Sequence, residues 1–338
     1  MLEEPRYIKE KAVQLVGLIA QREWPARWPD LLTSLTQLTQ NGDTQCELAL
    51  LALRSIGDGI FDDPSMHDAR RNELLVALNT EYASIYSFCY TVLERSFRCL
   101  SEASADGPEA RSSQMLITVC LQNFETYAPL SSLQAIADSG VLQALRPLLH
   151  MERFRDLAAS VLNEVMSKRA KPPVPHAQLL LLMQGILEAC RPAGAGSSGG
   201  GLLASTDAAF HKRLCTALAE FGCNHFATLQ GAAPDVVAVR DGYLELMASF
   251  AGHGAAAVSA ATLPFWRAFL DAHARDCPPG DAVHAALIRA IADKIGRPIQ
   301  PADEGGEEGL LGDEFNDWED YERFWSQARG VCRGVRSG

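Results

Sequence analysis

Apolar residues recur along this chain in steps of three, four and seven, the spacing that gathers them on one face of a helix. Ile8, Ala12, Leu15, Val16 and Ile19 form a first stripe. After the turn-and-cap signal Gly42-Asp43-Thr44, a second carries Leu48, Leu51, Ala52, Ile56 and Ile60. Pro64 and Ser65 open a third and longer one through Leu74, Leu78, Tyr82, Ile85, Cys89, Val92 and Cys99. Beyond the Gly107-Pro108 break, Met115, Leu116, Val119, Cys120 and Phe124 predict a helix that ends near Pro129. Shorter helices are expected over 141–149 and 154–166. The charged link Lys168-Arg169-Ala170-Lys171-Pro172-Pro173 then leads to a helix over 176–190. The Gly/Ser run at 194–201 reads as a flexible surface loop. Four further helices are expected over 210–229, 236–250, 263–274 and 282–295. A loop follows over 296–312, and a last helix runs from about Trp318 to Cys332. Val236-Val237-Ala238-Val239 comes nearest to a strand, and its neighbours favour a helix.

Grouped in pairs, these helices recur at roughly 40 residues, the length of a HEAT unit. The expected fold is therefore all-α: an α-solenoid of HEAT-like antiparallel helix pairs (an ARM-type superhelix), in which each pair buries its stripe against the next. The units fall at 6–40, 43–102, 107–149, 152–190, 206–251 and 260–296 of one continuous segment. A flexible loop at 191–205 interrupts them, and an acidic loop plus helix at 297–332 closes the series.

The sharpest local signal is Trp24-Pro25-Ala26-Arg27-Trp28-Pro29-Asp30. A residue before proline is pushed out of the α region, so the first helix should stop near Trp24. Pro29 suits the first position of the next helix, and Asp30 its first turn, where the helix dipole favours a carboxylate. The pattern predicts a sharp corner between two helices, pinned by two indoles.

Composition narrows the function. Of the residues, 47% are hydrophobic and 21% charged, an ordinary globular balance. A formal net charge of −12 argues against a surface that coats nucleic acid generally. The nine cysteines include no CxxC and no cluster with histidine, so buried reduced thiols are expected rather than a zinc site. The N-terminus lacks the apolar core of a signal peptide, and Leu179–Met183 is far too short to span a bilayer. Gly196-Ser197-Ser198-Gly199-Gly200 matches the G-x-S-x-G spacing but lacks the flanking strand and helix that a nucleophile elbow needs. His284 sits in an ordinary helical pattern. No nucleophile, base or metal constellation appears, and no catalytic residue, metal or cofactor is expected.

Two charged features remain. Acidic residues from Asp303 to Glu322 alternate with Phe315, Trp318, Tyr321, Phe324 and Trp325. They read as a solvated loop and helix start docked by its aromatics, or as a contact surface for a basic partner. Basic pairs also lie at helix ends: Arg70/Arg71, Arg95/Arg98, Arg153/Arg155, Lys168/Arg169/Lys171 and Lys212/Arg213. Most read as solvated surface. Arg95, Arg98, Lys168, Arg169, Lys171, Lys212 and Arg213 are the candidate contacts for a phosphate-bearing partner, provided they line one wall and track a phosphate backbone.

Several stretches carry a resemblance. Tyr7–Lys11 and Arg22–Leu32, with the Trp24-Pro25 and Trp28-Pro29 pair, resemble the exportin branch of the importin-β (karyopherin) superfamily. Gly42–Leu48, the helix from Lys212-Arg213-Leu214-Cys215 to Leu229, and Phe315–Trp325 are similar to its exportin-5/HASTY subfamily. The resemblance implies a non-catalytic transport receptor of HEAT repeats. Such a receptor binds Ran in its GTP form together with cargo in the nucleus, passes nuclear pore proteins, and releases its load in the cytoplasm. The implied cargo is structured double-stranded RNA such as a precursor microRNA, with tRNA as a second class, gripped by shape and phosphates. Neither a membrane nor a small-molecule substrate is implied. Members of this family are much longer, so the chain is expected to be an internal or truncated piece, lacking repeats ahead of Tyr7 and an arch beyond Arg336. Two alternatives stand beside this reading: an exportin-1-like receptor for leucine-rich peptide signals, and a general α-solenoid scaffold.

Overall fold

Prolines and glycines punctuate the chain, and helices fill the intervals. The computed structural model describes residues 6–38, 41–102, 107–169, 174–190, 202–204, 207–273 and 326. Its α-helices are α1 (Arg6–Glu23), α2 (Leu31–Leu38), α3 (Asp43–Asp62), α4 (Asp68–Glu102), α5 (Pro108–Tyr127), α6 (Leu133–Asp138), α7 (Val141–Leu149), α8 (Arg155–Met166), α9 (His176–Cys190), α10 (Ala208–His225), α11 (Pro234–Ala251) and α12 (Ala256–His273). Short 3-10 turns occur at Ala128–Leu130, Leu202–Ala204 and Phe226–Leu229. Among the described residues there is no strand. Lys171, the 194–201 run, His284, and the acidic loop and helix at 297–332 (Ser326 apart) lie outside the described residues.

The chain divides into two compact units, residues 1–165 and 166–338. In the first, α1, α3 and α5 lie side by side as one layer. Helices α2 and α4 pack across from them, on α3 and α5, and α6 and α7 sit beside α4. In the second, α10 packs beside α12, α9 beside α11, and α11 also packs on α12. Both units thus have the two-layer hairpin packing of a helical repeat, in which a one-striped helix finds cover only by stacking on a neighbour.

Both units also use the same buried device. In the first, the Tyr127 hydroxyl donates to the Leu53 carbonyl of α3 at 2.6 Å. In the second, the Tyr243 hydroxyl donates to the Leu218 carbonyl of α10 at 2.8 Å. One helical turn past each carbonyl stands a glycine. A Cβ at Gly57 would lie 3.2 Å from Tyr127 Cζ, and one at Gly222 would overlap the Tyr243 hydroxyl and the Phe265 ring. Only glycine leaves room for the tyrosine to reach a carbonyl that already serves its own helix. Burial pushes both phenols well above their ordinary pKa, so each stays a neutral donor. Asn123 adds a second reach in the first unit, donating to Leu50 O at 3.0 Å.

Four local expectations are corrected. The stripe Ile8, Ala12, Leu15, Val16, Ile19 is not the face of α1 that packs within the unit. Leu15 is 60% and Ile19 48% exposed, whereas Val13, Ala20 and Trp24 are buried. The large residues dominate the periodic signal, but the small Gly17 and Ala20 are what let α1 approach α3; α1 is apolar on two sides. Cys99, expected on the core stripe of α4, is exposed. Seven-residue steps lead from Leu78 to Cys99, but a straight helix drifts about 20° per such step, so the core face passes through Leu93 and Ser96 instead. Finally, α2 starts at Leu31, two residues after Pro29. The Asp30 carbonyl accepts the first helical bond from Ser34 N at 2.8 Å, which puts Asp30 at the cap and Pro29 ahead of it. Helix α12 likewise starts at Ala256 rather than near Leu263, and carries Pro264 inside it.

Candidate functional site

The corner between α1 and α2 follows from its sequence. The Trp24-Pro25 peptide bond is cis. Trp24 is 3% exposed, Trp28 and Pro25 are half-buried and Pro29 is exposed. Prolines leave carbonyls at a helix end without helical donors, and a cation from another helix fills the gap. Arg70, in the first turn of α4, donates from Nε to Gln21 O at 2.9 Å and from Nη2 to Trp24 O. It is held in turn by Glu73 at 2.6 Å. Arg71 donates to Asp63 O at 2.7 Å, closing the end of α3. This basic pair, which reads in the sequence as solvated surface, is structural. A cap donated from another helix leaves no local spacing, so the sequence carries no sign of the role.

The candidate contact residues fall into separate groups. In the first unit, Arg95 on α4 pairs with Asp43 at 3.1 Å, and Ser112 donates to the other carboxylate oxygen at 2.8 Å. Arg98 faces Glu94 at 4.0 Å. Both arginines are therefore opposed by carboxylates, which offsets the attraction a phosphate would feel. In the second unit, Lys168 and exposed Arg169 follow the end of α8, while exposed Lys212 and Arg213 lie near the start of α10. Asn224 donates to Met166 O at 3.0 Å, so Met166, two residues before Lys168, meets the far end of α10. At 1.5 Å per residue, Lys212 stands about 18 Å along the helix axis from Asn224. The two basic groups therefore sit toward opposite ends of α10 rather than side by side.

A groove of about 660 Å3 between α1 and α3 is lined by Val13, Leu18, Leu51, Arg54, Asp58 and Asp63, among others. Its carboxylates outnumber its cation, so it suits an amphipathic or basic segment better than a phosphate. Burial pushes the Cys46 thiol to about 11 and Cys190 to about 12, as expected of packed thiols rather than nucleophiles. Burial raises the Cys223 thiol to about 11 as well. Among the described residues no group of three or more His, Cys, Asp or Glu is arranged to hold a metal, and no helix is long and apolar enough to cross a membrane.

Residues 5–162, the unit built around the Trp-Pro corner, match the family model described as exportin 1-like protein. The chain is 26% identical to human exportin-5 over 345 residues, covering 97% of this chain and 28% of that protein. It is 25% identical to the Dictyostelium discoideum exportin-5, covering 96% of this chain and 29% of that one. Identity to HASTY 1 of Arabidopsis thaliana is 28%, over 77% of this chain and 22% of that protein. The chain is thus similar to the exportin-5/HASTY proteins of the importin-β family. It spans less than a third of the length of these relatives. In fold it is similar to a solved structure titled "Importin13 cytosolic state", with a TM-score of 0.68 at 11% identity, over 98% of this chain and 39% of that one. The all-α fold of HEAT-like helix pairs expected from periodicity is thus shared with that importin structure.

Proposed function

We propose that this chain is a segment of a nuclear export receptor that shuttles between nucleus and cytoplasm, without catalysis, and binds Ran in its GTP form together with structured RNA. The observation that carries the reading is the likeness to exportin-5 from two distant organisms over nearly the whole chain. The exposed apolar side of α1, with Leu15, Leu18 and Ile19, is suited to one more stacked helix. RNA contact falls to Arg169, Lys212 and their neighbours Lys168, Lys171 and Arg213, since Arg95 and Arg98 face carboxylates. Nuclear pore proteins are the third class of partner.

The test uses the full-length protein. It retains Ran loaded with GTP and not with GDP, and it binds a hairpin RNA with affinity that falls steeply as salt rises. Replacing Lys212 and Arg213 by Gln weakens RNA binding and flattens that salt slope by about two phosphate contacts' worth. Equal retention of the two nucleotide forms of Ran would overturn the reading. RNA affinity indifferent to salt would shift it toward a protein-cargo receptor, which the acidic walls of the α1–α3 groove favour.

A further inference from the structure

The second unit contains a chain of hydrogen bonds whose two ends leave no choice of proton positions. The Ala255 amide donates to His253 Nδ1 at 3.1 Å. An amide nitrogen only donates, so Nδ1 is the bare nitrogen and neutral His253 carries its hydrogen on Nε2. That Nε2 lies 3.1 Å from His211 Nδ1, so His253 donates and His211 accepts. His211 in turn carries its hydrogen on Nε2, 3.1 Å from the Leu202 carbonyl, which only accepts. An obligate donor at one end and an obligate acceptor at the other fix one arrangement of two neutral imidazoles.

We propose that His211 and His253 form a proton-sensitive latch that holds the Leu202–Ala204 turn and the α11–α12 turn on α10 only while both rings are neutral. The two bare nitrogens are His253 Nδ1, facing an amide hydrogen, and His211 Nδ1, facing the His253 N–H. A proton added to either sets two hydrogens against each other and breaks a link of the chain. The surroundings offer an imidazolium little compensation. His211 is 2% exposed, with the Phe210 and Phe250 rings centred 5.9 and 6.4 Å away. The first turns of α12 (Ala256–Leu263), the last turn of α11 (Ala248–Ala251) and the 202–204 turn carry no ionisable side chain. Helix α9, which touches that turn, brings Glu188 and Cys190 in its last turn, and α10 itself brings Lys212, Arg213 and Cys215. Asp207 caps α10, where its carboxylate accepts from the Ala209 and Phe210 amides at 3.1 Å.

Hydrogen exchange of the 338-residue chain, read on peptides covering 202–214 and 250–258, tests the latch between pH 7.5 and 5.5, the span over which imidazoles change charge. After correction for intrinsic exchange, protection in both peptides is expected to fall about tenfold in the wild type. His253→Gln keeps an acceptor for Ala255 and a donor for His211 but does not titrate, so its protection there is expected to change less than about twofold. His211→Leu is expected to show low protection in the 202–214 peptide at both pH values. Nitrogen-15 spectra at pH 7.5 are expected to show both histidines as the Nε2–H tautomer. An equal pH response in His253→Gln and wild type, or a hydrogen on His211 Nδ1 at pH 7.5, would overturn the proposal.

Discussion

The two units solve one problem with different chemistry. Each must join stacked helices whose backbones are already hydrogen-bonded within themselves. Each uses a buried tyrosine that reaches a carbonyl one turn before a glycine, Tyr127 with Gly57 and Tyr243 with Gly222. Around that shared device they diverge. The first unit closes its helix ends with permanent cations, Arg70 and Arg71. The second packs Phe221, Phe226, Tyr243, Phe265, Trp266 and Phe269 in an aromatic cluster, with ring centroids 5.0–6.1 Å apart where they touch. It also buries two imidazoles, His211 and His225. Guanidinium stays charged at any working pH and imidazole does not. The first unit is thus expected to be indifferent to mild acid and the second is not.

The largest expected effect is confined to the first unit. Trp24→Ala removes a buried indole at the corner and should cost about 3–5 kcal/mol. Exchange protection should drop in peptides from α1, α3 and α4, and hold in those from α10 to α12. An equal drop in both units would mean that they do not open independently, and would erase the distinction drawn above.

The glycines test what the units share. Gly57→Ala and Gly222→Ala each force a methyl into an occupied contact, which costs about 1–3 kcal/mol where a core must rearrange. The loss should appear in the mutated unit alone. Gly222 should suffer more, because both a tyrosine hydroxyl and the Phe265 ring must move. At Gly57 the nearest obstacle is the Thr126 methyl, which can turn aside at the cost of the hydrogen bond from its hydroxyl to Asp58.

Acid tests what they do not share. Burial lowers the pKa of His225 below its ordinary value, outweighing the opposite pull of the Met166 and Lys168 backbone, and neither ring nitrogen makes a well-formed hydrogen bond. The unfolded imidazole therefore takes up a proton at higher pH than the folded one. Stability of the second unit is fully present above about pH 6.5 and is lost as pH falls from there toward the lower folded value, by about 1.4 kcal/mol for each pH unit between the two. His225→Asn should flatten this part of the response while leaving the latch intact. In the first unit His67 and His150 are exposed, so its urea midpoint should hold steady across the same range. A midpoint falling in parallel would break the comparison.

Much of this architecture is written in the spacing of apolar residues. The limits of α9 and α7 are legible because Pro175, Gly140 and the ends of the apolar runs mark them, and the stop of α1 is legible from Trp24-Pro25. What stays hidden depends on partners far along the chain. Periodicity shows that α1 has an apolar face, but Gly17 and Ala20, which weigh little in that signal, choose the side that packs on α3. Arg70 looks the same in sequence whether it meets solvent or the Trp24 carbonyl 46 residues away. The histidine chain joins residues 202, 211, 253 and 255, a spacing that matches no local motif. The candidate phosphate contacts stand out in sequence as pairs of like charge; the i,i+4 spacing of Glu94 and Arg98 is legible there, but nothing local shows that Asp43, 52 residues away, opposes Arg95.

The smallest expected effect separates hydrogen bonding from packing in the shared device. Tyr127→Phe and Tyr243→Phe delete one hydroxyl each and keep the rings. The carbonyls of Leu53 and Leu218 are left with the acceptor role they already play inside their own helices, to Gly57 and Gly222, so no buried group is orphaned. Each substitution should therefore cost only about 0.5–1.5 kcal/mol, less than alanine at the facing glycine. The double variant Tyr127→Phe with Gly57→Ala should cost less than the sum of the two, because the hydroxyl that holds the tyrosine against the glycine is gone. In the second unit the relief should be larger, since the Tyr243 hydroxyl itself occupies the space a Gly222 methyl would take. Urea unfolding of the four single and two double variants measures both couplings. Strict additivity in both units would show that tyrosine and glycine are placed independently and that the likeness between the units is only one of position.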